Sequence, residues 1–174
     1  MKVGIISYSL TGNNETLANG LASIYKAEHI RISEAKWRSM GKTVTDLLFN
    51  RVPPIHFHFT EAAAYDLILF VGPVWGGKAA TPFRACFKQL IPRIENYAFV
   101  SISGGALGAN AKLQDDLEKR LKKSPVAVID LHITDLLPEN PKPRAADTSA
   151  YRITKDDARK LTDTVVTKLR PIFG

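Results

Sequence analysis

The sequence contains a single cysteine, Cys86, in 174 residues. An internal disulfide is therefore excluded, and no cysteine cluster is left to hold a structural metal. Long apolar runs are also missing: none approaches the ~18 residues that a membrane helix takes. Val3 to Leu10 is apolar and follows Lys2, but polar Thr11, Gly12, Asn13, Asn14 and Glu15 come at once, without a small-residue cleavage pattern. That is not the layout of a secretory leader. The expectation is a cytoplasmic chain with no membrane association. Acidic residues are in deficit, with 17 Asp and Glu against 24 Lys and Arg and a formal charge of +7. Such a balance favours anionic ligands or partners. The basic residues are nevertheless spread along the chain, with no helix-turn-helix, zinc-finger or aromatic RNA-binding signature, so a nucleic-acid function is not expected. Repeats and low-complexity tracts are absent too, and residues 1–174 are expected to form one domain.

What the sequence does contain is an alternation of short apolar runs with helix-period segments. Val3 to Ser7, Asp66 to Val71, Ala98 to Ile102 and Val126 to Ile133 have the length and composition of buried strands, and a brief one is expected near His29 to Ile32. Between them lie amphipathic stretches. Leu17, Leu21 and Ile24 form one stripe, Phe83, Cys86, Phe87 and Leu90 a second, and Leu113, Leu117 and Leu121 a third. The second helix is expected to begin with Thr81 as its N-cap and Pro82 in its first turn. A final helix is expected from Lys155 to Arg170, opened by a Thr154/Asp157 capping pair, with Ala158, Leu161, Val165 and Leu169 inward. Strand and helix alternating in this way predict an α/β fold: a three-layer, doubly wound, five-stranded parallel sheet. Ser33 to Thr60 breaks the rhythm and is expected to hold a short helix near Val44 to Phe49. Leu137 to Arg152, rich in proline and polar residues, reads as a long loop.

Ligands of such sheets sit beyond the carboxyl ends of the strands, where strand order reverses. Three turns at that edge stand out. The first, Ser9-Leu-Thr-Gly-Asn-Asn-Glu-Thr16, offers the hydroxyls of Ser9 and Thr11 and a flexible Gly12. Its amides open onto a helix N-terminus, a setting that favours phosphate; Asn14 as a plain N-cap is the structural alternative. The turn holds no lysine, so a singly esterified phosphate suits it better than a triphosphate with magnesium. The second, Gly72-Pro-Val-Trp-Gly-Gly-Lys78, sets Trp75 between Pro73-Val74 and the glycines Gly76 and Gly77, an indole face that a planar ring can stack on. The third, Ser103-Gly-Gly-Ala-Leu-Gly108, lacks side-chain bulk at Gly104 and Gly105, so backbone groups can reach the edge of a heterocycle.

With these three turns in order, the sequence resembles the flavodoxins over most of its length. Ser9-x-Thr11-Gly12-Asn13 is similar to that family's phosphate loop, Asp66 to Gly77 followed by Pro82-Phe83 to its second flavin loop, and Ser103-Gly104-Gly105 to the start of its third. The resemblance implies the strand order 2-1-3-4-5 and FMN as cofactor. Ser9, Thr11, Gly12, Asn13 and Asn14 would then hold the phosphate, and Pro73, Val74, Trp75, Gly76, Gly77, Ser103, Gly104 and Gly105 would frame the ring. Two departures bear on activity: in the third loop no aromatic residue covers the other flavin face, none following Gly105 until much later in the chain, and the chain is basic where electron-carrying flavodoxins are usually acidic. Both resemble the flavodoxin-fold oxidoreductases, which take electrons from a nicotinamide donor and often dimerise to complete the pocket. Lys78 is a candidate for stabilising reduced flavin. The competing readings are an electron carrier serving a redox-partner protein and a binding protein without cofactor.

Other motifs carry less. Gly41-Lys42-Thr43 lacks the upstream glycine of a nucleotide-binding P-loop. His56 and His58 share one face of an extended segment but have no evident third metal ligand. His132 falls near a strand end, where it either edges the site or packs, and Cys86 sits on an apolar stripe where a thiol is inert.

Overall fold

The computed structural model describes residues 1–34, 38–57 and 64–173. Its central sheet has five parallel strands: β1 (Val3–Ser7), β2 (Glu28–Arg31), β3 (Leu67–Val71), β6 (Tyr97–Ser103) and β7 (Ala127–His132). They lie in the order β2-β1-β3-β6-β7, which is 2-1-3-4-5 for the strands of this sheet, as the resemblance implied. A separate antiparallel pair, β4 (Val74–Trp75) and β5 (Lys78–Ala79), projects from the loop after β3. The helices are α1 (Asn13–Tyr25), α2 (Met40–Leu48), α3 (Phe83–Leu90), α4 (Leu113–Leu121), α5 (Ala145–Ala150) and α6 (Lys155–Phe173).

Both faces of the sheet are covered, which is why its strands read as continuous apolar runs. Alternate side chains feed two cores. Ile6, Ile68, Phe70 and Phe99 point to the side where Phe83, Cys86, Phe87 and Leu90 of α3 and the three leucines of α4 close the layer. Ile5, Leu69, Val71 and Val100 point to the other, against Leu17, Ala18 and Leu21 of α1 and Leu161, Val165 and Leu169 of α6. Register aligns the carboxyl ends: Ser7 pairs with Arg31 and Val71, Val71 with Val100, and Ser103 with His132. The three turns therefore emerge along one edge.

Four local expectations are corrected. Ile24 is exposed: the buried face of α1 is centred on Leu17, Ala18 and Leu21, which turns residue 24 roughly 65° off that centre at 100° per residue, to the edge of the stripe. Thr81 does not cap α3; its buried hydroxyl has no partner among the described residues, and the first turn tightens through Phe83 N–H to Ala80 and Arg84 N–H to Thr81. The segment 137–152 is not all loop, since α5 forms within it and Asp147 Oδ2 accepts from Arg144 N–H at its start at 2.8 Å. Finally, α6 continues past Arg170 through Pro171. The Thr154/Asp157 cap forms as read, with Asp157 N–H donating to Thr154 Oγ1 at 3.1 Å and Thr154 N–H to Asp157 Oδ2 at 2.9 Å. His58 lies outside the described residues, and His56 pairs through its backbone with Ser33. Among the described residues no group of three metal-ligating side chains occurs, and no helix is long and apolar enough to cross a membrane.

Candidate functional site

The first turn leaves β1 at Ser7 and reaches α1 through Gly12, whose φ of 91° lies in the left-handed region where glycine is favoured. A side chain there would meet nothing within 4 Å, so the backbone borders open space. Ser9 Oγ accepts from Gly12 N–H at 3.0 Å and pins the turn, while the Thr11 side chain is exposed. The first bond within the helix runs from Thr16 N–H to Gly12 O at 2.9 Å. The N–H groups of Asn13, Asn14 and Glu15 precede it and present the positive end of α1. Glu15, the acidic residue of this first turn, is held by Arg31 at 2.6 Å, which offsets its charge.

Asn13 and Asn14 are not free to offer their carboxamides here. Asn14 clamps the β6 backbone, accepting from Ile102 N–H at 2.8 Å and donating to Ile102 O at 3.1 Å. Asn13 does the same to the segment before α6, through Tyr151 O at 3.0 Å and Ile153 N–H at 3.1 Å. Both are buried. Neither is the helix N-cap; their side chains fix the turn, and only their N–H groups open toward a ligand.

The second turn is a hairpin. Gly76 and Gly77 have φ of 57° and 74°, the positive values that a two-residue turn matched to strand twist demands, so the Gly-Gly pair has a structural reason of its own. Trp75 is half-buried and packs edge-on against Tyr8 with centroids 5.9 Å apart, which brings the second turn against the first. The Arg38 guanidinium covers one face of its ring at 5.4 Å. Lys78 points away from this edge and lines a groove between helices.

Arg38 belongs to a network that sequence reading missed. It donates from Nε to Glu34 Oε2 at 2.7 Å and from Nη1 to Asp46 Oδ2 at 2.9 Å. Burial works against its charge, but these two carboxylates more than compensate and hold its pKa above the ordinary value. Tyr8 also donates to Glu34, at 2.8 Å; burial first, and then Glu34, push its phenol well above the usual range. Tyr8, Ser9, Arg31, Glu34 and Arg38 are among the residues lining a cleft of about 350 Å³ between the first turn and the end of β2. Of the predicted binding residues only Ser9 lines it. No sequence spacing announces this set, since Glu34 and Arg38 fall in the stretch that breaks the strand–helix rhythm.

The third turn is organised by Asp130. Its carboxylate accepts from Ser101 and Ser103 of β6, from the backbone and side chain of Asn110 at 3.3 and 2.8 Å, and meets His132 Nε2 at 2.9 Å. Gly104 packs under Thr148 of α5 and Gly105 under His132 and Thr134, leaving no room for a side chain at either. The alternation Asp130-x-His132 at a strand end, two residues on one face, was the available signal. Burial raises the Asp130 pKa, but the hydrogen bonds from Ser101, His132 and Asn110 outweigh it and leave the carboxyl below its usual value. A folded pKa below the unfolded one stabilises above the unfolded value, and that contribution is lost as pH falls through the folded one. As pH falls below the ordinary carboxylate range the native chain is expected to lose this contribution, and Asp130→Asn to show a shallower acid dependence of its thermal midpoint. Identical acid profiles for the two proteins would refute the role given to Asp130.

No protein-family model matches the sequence, and no curated protein matches it either. Solved structures do match. A flavoprotein from Lactobacillus acidophilus, determined in complex with FMN, superposes at TM-score 0.65 with 22% identity, over 74% of this chain and 92% of the other. A candidate flavoprotein from Bacteroides eggerthii gives TM-score 0.66 at 13% identity over 95% and 98%. The Trp repressor binding protein of Bacillus subtilis gives 0.53 at 10% over 93% and 99%. With the 2-1-3-4-5 order of its parallel sheet, the chain has the flavodoxin-like fold.

Proposed function

We propose that this chain binds FMN at the edge formed by the three turns and works as an oxidoreductase, passing reducing equivalents from a nicotinamide donor to a small acceptor. The observation that carries the reading is the opening of α1: N–H groups ahead of its first internal bond at the positive end, next to a Gly12 with open space where a side chain would stand. The residues present fit the phosphate of FMN. Ser9 shapes the turn, Thr11 offers a hydroxyl, Asn13 and Asn14 hold the helix start in place, and Arg31 neutralises Glu15. Trp75, steadied by Tyr8 and Arg38, and the close-packed Gly104-Gly105 turn would frame the ring. When bound, FMN supplies the redox chemistry; the chain orients it and sets its surroundings. The Lactobacillus acidophilus neighbour, determined with FMN, supports the cofactor on the same fold.

The purified chain is expected to retain FMN after excess is removed, seen as flavin absorption bands on the protein. Thr11→Ala should weaken binding roughly 10- to 100-fold, the worth of a hydrogen bond to a charged group. NADH and NADPH oxidation with a quinone or dye acceptor should exceed that of free FMN. A chain that retains no flavin refutes the cofactor. Flavin retained without added turnover refutes the oxidoreductase and favours the electron carrier.

A further inference from the structure

On the side of the sheet covered by α3 and α4, the end of α2, α3 and α4 enclose a groove of about 750 Å³, within the range of small-molecule sites. Its lining has seven basic side chains against two carboxylates. Lys78, Lys88, Lys112, Lys119 and Lys122 are exposed along it. Of the two acids, Asp116 is already engaged, by Arg120 Nε at 2.8 Å and Ala79 N–H at 3.3 Å. Leu48 and Val52 add exposed apolar surface at one wall.

The seventh basic residue is of a different kind. Arg84 is only 2% exposed. Its Nη1 donates to the carbonyls of Asp46 and Arg51, at 2.8 Å each. Its Nε and Nη2 are buried and have no partner among the described residues. Those two N–H groups form the guanidinium edge that receives phosphate or carboxylate through paired hydrogen bonds. Buried donors left without a partner are costly, and the charges of Asp116 and Asp46 only partly offset the burial of this cation. Burial, followed by the charge of Arg120, pushes the Arg84 pKa below its ordinary value. Other arginines on this surface are better served: Arg120 holds Asp116 and Asn50. Arg84 in the groove lining, with its unpartnered fork buried just behind the surface, the lysine rim and the apolar wall share one complement.

We infer that this groove is a second ligand site, separate from the three-turn edge, that takes a phosphorylated small molecule bearing an apolar or aromatic group. A phosphate meets the Nε and Nη2 fork of Arg84, the surrounding lysines hold the remaining charge, and Leu48 and Val52 cover the apolar part. The site does not depend on FMN.

The test uses ADP as probe on the full ¹⁵N-labelled chain, with and without FMN, followed by NMR. Titration is expected to move the Arg84 Nε–H signal while the Gly12 amide stays in place in the presence of FMN. Pyrophosphate should bind more weakly than ADP. Lys88→Glu with Lys119→Glu, both exposed positions that leave the core intact, should weaken ADP by roughly tenfold or more. An Arg84 signal unmoved by millimolar ADP would overturn the site and leave the fork to an ordered water. Pyrophosphate binding as tightly as ADP would overturn the ring-bearing class. Polyglutamate moving the Arg84 signal while ADP does not would assign the groove to an acidic protein segment instead. Failure to retain FMN would remove the Gly12 comparison but leave the Arg84 readouts as informative as before.

Discussion

Arg38→Ala is expected to destabilise the chain by about 3–5 kcal/mol, the cost of removing one partner from a buried ion network. The side chains of Arg38, Glu34 and Asp46 are 1%, 7% and 6% exposed, so the two carboxylates left behind cannot recover full hydration. The consequence reaches the site, because Glu34 also receives the Tyr8 hydroxyl and Arg38 lies over Trp75. Denaturant unfolding measures the loss, and FMN titration measures its effect on the turns. A triple variant, Arg38→Met with Glu34→Gln and Asp46→Asn, removes the charges together and should recover part of the stability, since no unpaired charge stays buried although the two carboxamides still lack the Arg38 donor. It should not restore cofactor affinity, because the cation over the indole is gone. Were Arg38→Ala to cost less than about 1 kcal/mol, the network would be no better than a surface ion pair.

This network also marks where the sequence stops being legible. The strands β1, β3 and β6 could be read because burial on both faces forces unbroken apolar runs, as in Leu67 to Val71. The three turns could be read because glycine leaves a conformational trace: Gly12, Gly76, Gly77 and Gly105 all adopt positive φ. Contacts between distant polar residues leave none. Nothing in the spacing of Tyr8, Glu34, Arg38 and Asp46 says that they meet, and Arg84 looks like the polar break in the Phe83-Cys86-Phe87 stripe rather than a buried cation. Asn13 and Asn14 fall at the expected place, but their carboxamides do work that the spacing does not announce: both clamp backbone from more than eighty residues away. The helix α5 was hidden for a further reason, since Thr148 is its sole buried residue and no apolar stripe forms.

Phe83→Ala is expected to cost about 3–5 kcal/mol, as large-to-small changes in aromatic cores do. Phe83 is fully buried and touches Phe70, Phe87 and Phe99 with centroids 6.0, 5.6 and 5.4 Å away, and Tyr8 at 6.4 Å. It also explains Gly72: a Cβ at that position would stand 2.3 Å from Phe83 Cε2 and 3.1 Å from the Tyr8 carbonyl. The ring and the missing side chain are thus one fitted contact at the root of the second turn. Gly72→Ala alone should destabilise by about 1–3 kcal/mol through overpacking. Combined with Phe83→Leu, part of that cost should disappear, because the branched side chain vacates the rim the new methyl needs. A coupling of about 1 kcal/mol or more in the double-mutant cycle, read by denaturant unfolding, is the expected result. Strict additivity would mean that the Tyr8 carbonyl, not the ring, sets the requirement for glycine. In either case Phe83→Ala should loosen Tyr8 and, through it, Trp75, so FMN affinity should fall along with stability.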